Sequence, residues 1–132
     1  MKRRVEFKKL NDILAARLAS REVAAQSGFG SADQTRLATA VSEIARNAIQ
    51  YAGGGVCLFE SKRKRDENIV RVVIQDCGPG INDVEKALTP GFSTSGRMGR
   101  GLSIAKCLVH RFEVQSRPGS TTITMEMTTR KM

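Results

Sequence analysis

The chain has no tryptophan, one tyrosine and one histidine among its 132 residues. Five phenylalanines are the other aromatics, so the core must be mostly aliphatic. One histidine, His110, and three distant cysteines, Cys57, Cys77 and Cys107, with no C-x-x-C pair, cannot build a zinc site of the usual spacing. Thiols odd in number and far apart point to reduced, partly buried cysteines in a cytoplasmic protein. No run approaches the ~20 apolar residues of a membrane-spanning helix. "MKRR" starts like a signal peptide, but "VEFKKLND" follows in place of an apolar stretch. No repeat or linker is visible. The expectation is one soluble domain over residues 1–132, with no membrane partner.

Forty per cent apolar residues suffice for one core without metals or disulfides. Twenty-two Lys and Arg against 13 Asp and Glu leave a net charge of +9, which suits anionic partners. The densest basic run, "SKRKRDEN" (Ser61 to Asn68), lies between two strand-like segments and reads as a solvated turn. No aromatic platform and no recognition-helix pattern accompany the charge, so no nucleic-acid partner is expected.

"VEFKKL" alternates and suits an edge strand. Asn11 or Asp12 caps a helix through "ILAARLASREVAAQS", stopped by Gly28. Ser31 and Gln34 make a capping-box pattern for the next helix. There Leu37, Val41, Ile44, Ala48 and Tyr51 form one buried stripe ending at Gly53. "VCLFE" and "NIVRVVIQD" read as strands, the second central in its sheet. A short helix, "NDVEKAL", the loop "TPGFSTSGRMGRG", a helix from Leu102 to about Arg111 and a closing hairpin follow. His110 reads as a helix-end cation. The fold class is α+β, a two-layer sandwich of a mixed, mostly antiparallel sheet with helices on one face.

Three stretches carry chemistry. In "SEIARNAIQYAGGG", Glu43 and Asn47 share a helix stripe beside the apolar one. A carboxylate there can accept a hydroxyl proton, and an amide oxygen can ligate Mg²⁺. Taken alone, such a pair is also what solvated surface looks like. In "IQDCGPGI", Asp76 ends an apolar strand before Gly78 and Gly80. The carboxylate can accept from an exocyclic amine, and the glycines let a flat ligand approach. Alone, the segment is also a strand-end turn. In "GRMGRGLSIAKCL", Gly99 and Gly101 precede a helix whose first N–H groups attract phosphate. "GFSTSGRM" is not a P-loop, because Arg97 and Met98 replace its Lys-Ser/Thr.

Helix E-x-x-x-N, strand-D-x-G-x-G, a glycine-rich loop opening a helix, and a threonine strand at "GSTTI" follow in this order. Together they resemble the Bergerat-fold (GHKL) ATPases, over roughly Ser31 to Met125. Within that superfamily the chain looks most like the stand-alone serine-protein kinases of bacterial sigma-factor regulation, nearest to the RsbT-type switch kinases of the stressosome. The resemblance implies a histidine-kinase-like ATPase domain using ATP and Mg²⁺. It implies Glu43 as general base and Asn47 as the metal ligand. Asp76 would accept the adenine amine, with Gly78, Gly80 and Ile81 around the base. Gly99, Arg100, Gly101 and Leu102 would form the phosphate side, and Thr121 would support Asp76. It also implies two protein partners, a STAS-domain scaffold or antagonist as substrate and a PP2C-type phosphatase. No lysine follows Asn47 where histidine kinases use one; Gln50 and Tyr51 stand there.

Overall fold

The computed structural model describes residues 2–78 and 98–130, with 98–100 as backbone. Strand β1 (Lys2–Phe7) leads into helix α1 (Leu10–Gln26) and helix α2 (Ser31–Ala52). Strands β2 (Gly55–Arg63) and β3 (Glu67–Asp76) form a hairpin. Helix α3 (Met98–Leu108) precedes the closing hairpin of β4 (Arg111–Arg117) and β5 (Ser120–Arg130). The sheet order is β1-β2-β3-β5-β4, and every pairing is antiparallel. The expected α+β sandwich with a mostly antiparallel sheet is what the chain forms, and all the described pairings are antiparallel. The expected helix "NDVEKAL" lies outside the described residues.

Strand alternation sorts side chains onto two faces. Val5, Cys57, Ile74, Ile123 and Val114 align across all five strands on the helix side. Phe59, Val72, Met125 and Phe112 make the adjacent row. The stripe expected on α2 closes this core: Leu37, Val41, Ile44 and Ala48 are buried, while Tyr51 at its end is half-buried. Each of the larger three stabilises the fold by about 1.5–3 kcal/mol through removal from water. α1 packs on α2 with Ala16, Ala19 and Ala24, small residues that let the helices approach closely. On the opposite sheet face, Lys2, Glu60, Arg71, Glu126 and Arg111 line up with alternating sign. Arg71 Nε donates to Glu126 Oε2 at 2.8 Å.

Several local expectations change. α1 starts at Leu10, and Asp12 caps it from inside, accepting from the N–H groups of Lys8 (2.8 Å) and Lys9 (3.1 Å). Those hydrogen bonds favour the carboxylate and hold the Asp12 carboxyl below its ordinary value. Gly30, not Ser31, is the N-cap of α2, and Gln34 Nε2 donates to the Phe29 carbonyl at 2.8 Å. The basic run is mostly strand, since β2 extends to Arg63 and the turn closes with Lys64 N–H on Glu67 O at 2.8 Å. α3 ends at Leu108, and His110 Nδ1 accepts the Thr128 N–H at 2.9 Å. The cysteines split: Cys57 is buried, and burial pushes its thiol up to about 12, whereas Cys77 and Cys107 are exposed.

Candidate functional site

α2 is the scaffold of the site. It stops where the chain can turn left-handed: Gly53 has φ 76°, and Gly54 donates back to Ala48 O at 3.1 Å. Gly54 and Gly55 then pass so close to β1 and β3 that an added Cβ would sit 2.3 Å from Phe7 O or from Gln75 O. The three glycines thus bind the end of α2 tightly to the sheet.

Glu43 and Asn47 are half-buried on α2, at the margin of the core. Arg46, one turn on from Glu43, donates Nη1 to Glu43 Oε1 at 3.2 Å. Asn47 lies against α3. An added Cβ at Gly101 would come 2.8 Å from Asn47 Nδ2 and 3.1 Å from its Oδ1. A methyl group there would push the amide aside, so glycine lets the backbone of α3 lie against it. Gly99 and Arg100 belong to the first turn of α3 rather than to a preceding loop. Leu102, one residue past the contact, is 1% exposed and anchors α3 in the core. The G-x-G segment therefore helps to build the helix instead of merely leading into it.

Asp76 ends β3 on the helix-facing side. Its Oδ1 accepts the Gly78 N–H at 3.0 Å, closing a local turn. Burial pushes the Asp76 carboxyl above its ordinary value, and the Gly78 bond offsets part of that. Gly78 rests on α2: an added Cβ would stand 2.5 Å from Ala52 Cβ. Across the sheet, Asp76 pairs in register with Thr121, and Thr121 with Ser116. Thr121 is 5% exposed, and its hydroxyl shares a 2.8 Å hydrogen bond with that of Ser116. Gly80 and Ile81 lie outside the described residues.

The structure thus brings both remote motifs onto one helix. The D-x-G turn sits on Ala52 and the G-x-G helix sits on Asn47. Helix geometry separates these two points by about 7.5 Å along the axis, and Asn47 from Glu43 by about 6 Å. An amine acceptor, an amide oxygen beside a helix N-terminus, and a carboxylate thus follow one another in order along the helix axis. That order fits a purine at one end, phosphates in the middle and a hydroxyl to be deprotonated at the other. Among the described residues no group of three or more His, Cys, Asp or Glu could hold a metal. Mg²⁺ needs no such group when phosphate oxygens and water complete its shell, so a single amide oxygen fits. Ala52 and Ser116 were not legible as site residues. The sheet register, which pairs Ser116 with Thr121, was the signal available for the second.

A family model described as the histidine kinase-like ATPase domain matches residues 8–127. The chain is 44% identical over 111 residues to the serine/threonine-protein kinase RsbT of Bacillus subtilis, covering 84% of each. It is 34% identical over 89 residues to an anti-sigma F factor of Caldanaerobacter subterraneus, covering 64% of this chain and 62% of that one. The fold matches the RsbU and RsbW domains of Rv1364c from Mycobacterium tuberculosis with a TM-score of 0.69 at 20% identity, over 96% of this chain and 32% of that longer one. It also matches the catalytic domain of histidine kinase ThkA with a TM-score of 0.57 at 22% identity, over 95% of each. No described helix is long and apolar enough to cross a membrane.

Proposed function

Because the chain belongs to the histidine kinase-like ATPase domain family, we propose that it is an ATP- and Mg²⁺-dependent serine/threonine protein kinase acting as a partner switch. Its substrate is a STAS-domain scaffold or antagonist protein, and in its free form it activates a PP2C-type phosphatase in bacterial stress or sigma-factor signalling, in the cytoplasm. The whole chain, residues 1–132, serves as one ATPase domain. The observation that carries this reading is the order of Ala52, Asn47 and Glu43 along the axis of α2, with the Asp76 turn packed at the first and Gly101 at the second.

In this reading Asp76 accepts the adenine amine, Thr121 and Ser116 hold the sheet beneath it, and Gly78, Gly80 and Ile81 flank the base. Asn47 holds the metal, which would neutralise phosphate charge when bound. Gly99, Arg100, Gly101 and Leu102 set the first turn of α3 against the phosphates. Glu43 takes the proton of a serine or threonine hydroxyl. That oxygen attacks the γ-phosphorus, the bond to the β–γ bridging oxygen breaks, and ADP leaves. Most of the rate gain comes from positioning and charge neutralisation.

The Glu43–Arg46 ion pair supports a second reading, a nucleotide-binding partner switch without transfer, since that carboxylate already has a cation beside it. Glu43→Ala separates the two. Phosphate transfer to a STAS partner should fall by about 10²-fold or more, with ATP affinity within about threefold of the parent. Transfer that survives the substitution would remove Glu43 from the role of base.

A further inference from the structure

α1 has a face that the nucleotide reading leaves unused. Its inner side buries Ile13, Ala16, Ala19, Val23 and Ala24. Its outer side carries Leu10, Leu14 and Leu18, which are 65%, 58% and 51% exposed. Leucines four residues apart on a helix form one stripe. They are the three most exposed large hydrophobic residues among those described. A single exposed leucine needs no explanation, but a contiguous row marks a surface that something covers.

The charges around the stripe say what kind of partner fits. Helical spacing puts Arg17 and Arg21 on the same strip. Arg17 is exposed, and its Nε donates to Ser42 Oγ of α2 at 3.0 Å, which ties it to the neighbouring helix. Of the carboxylates on α1, Asp12 is occupied by the Lys8 and Lys9 N–H groups, and Glu22 by Arg3. The stripe is therefore edged by positive charge. A second copy of a +9 chain would oppose it with like charge.

We propose that the outer face of α1 docks an amphipathic helix of an acidic partner protein, its apolar ridge covering Leu10, Leu14 and Leu18 and its carboxylates meeting Arg17 and Arg21. The interaction needs neither nucleotide nor phosphate transfer, so its failure is distinguishable from failure of the kinase reading.

The probe is a labelled helical peptide of about 20 residues, with a leucine ridge flanked by glutamates. Its isomer with lysine for every glutamate is the control, and binding is followed by anisotropy without ATP. The acidic peptide should bind and the lysine peptide should not. Changing Leu10, Leu14 and Leu18 together to serine should weaken binding at least about tenfold, with net charge unchanged. Arg17→Glu should weaken it too and flatten its salt dependence. It decides the matter even if the triple variant folds poorly. Parent-like affinity of both variants for the acidic peptide, no binding of that peptide by the parent, or equal binding of the lysine peptide overturns the proposal. So does sedimentation showing that the parent self-associates through this stripe and the serine variant does not.

Discussion

Asp76 serves two ends that conflict. As a partly desolvated carboxylate, it is a strong acceptor for an amine and a burden on the empty fold. Its folded pKa is raised, so the folded chain holds that proton more tightly than the unfolded one. Ionisation therefore costs stability above the folded value, and the cost disappears below the ordinary aspartate value near ~3.9. Asp76→Asn keeps an oxygen for the Gly78 N–H and removes the charge. The variant should melt higher than the parent at pH 7, with the gain gone at about pH 3, while ATP binds at least about tenfold more weakly. Paired melting curves and calorimetry check both halves; a lower melting point at pH 7 would contradict the desolvation argument. The type of this residue and its place at a strand end were readable from sequence. Its support was not: Ala52 under Gly78 and Ser116 beside Thr121 are ordinary residues that matter only through what folding brings against them. The same holds for His110, since a sequence cannot show that Thr128 N–H points at its ring.

At the scale of elements, α2 was the most legible part, because a stripe of apolar residues at helical spacing admits one burial face. α3 was the least. Gly99 and Gly101 read as loop, yet α3 begins at Met98 and runs through both. Glycine costs a helix about 1 kcal/mol relative to alanine, and here the cost is offset by the approach of α3 to Asn47. Gly101→Ala weighs these effects directly. The added methyl regains about 1 kcal/mol of helix propensity and meets the Asn47 amide at a distance that overpacking penalises by about 1–3 kcal/mol. Stability should fall by at most about 2 kcal/mol, and ATP affinity in the presence of Mg²⁺ should drop about tenfold or more as Asn47 is displaced. An unchanged Mg²⁺-dependent affinity would mean that this contact does not position the amide. Caps were legible only in part: Asp12 was one of two candidates, with Asn11, and it acts on the two residues before the helix rather than starting it.

Across the whole molecule, composition gave the class and the aliphatic core, and the order of motifs gave the architecture. Strand direction was not legible throughout, because it depends on which strands become neighbours and not on their own patterns. Nor was the charged row Lys2–Glu60–Arg71–Glu126–Arg111, which draws one residue from each strand. Its most buried member is Glu126, 9% exposed, with Arg71 at 2.8 Å and Arg111 at 3.8 Å. Removing that charge leaves two arginines facing each other across β5. Glu126→Gln should cost about 1–2 kcal/mol in urea unfolding, a figure kept small because both arginines reach water, and less at 1 M salt. A loss independent of salt would point to packing instead of charge.

The row has a further consequence at its two ends. Among the described strands β1 and β4 are the two borders of the sheet, and each bears cations: Lys2, Arg3 and Arg4 on one, Arg111 and Arg117 on the other. A strand arriving from a neighbouring molecule would bring its own positive rim against them. Growth into stacked fibrils is thereby opposed at both borders, and the protein can keep a sheet open on one side without polymerising.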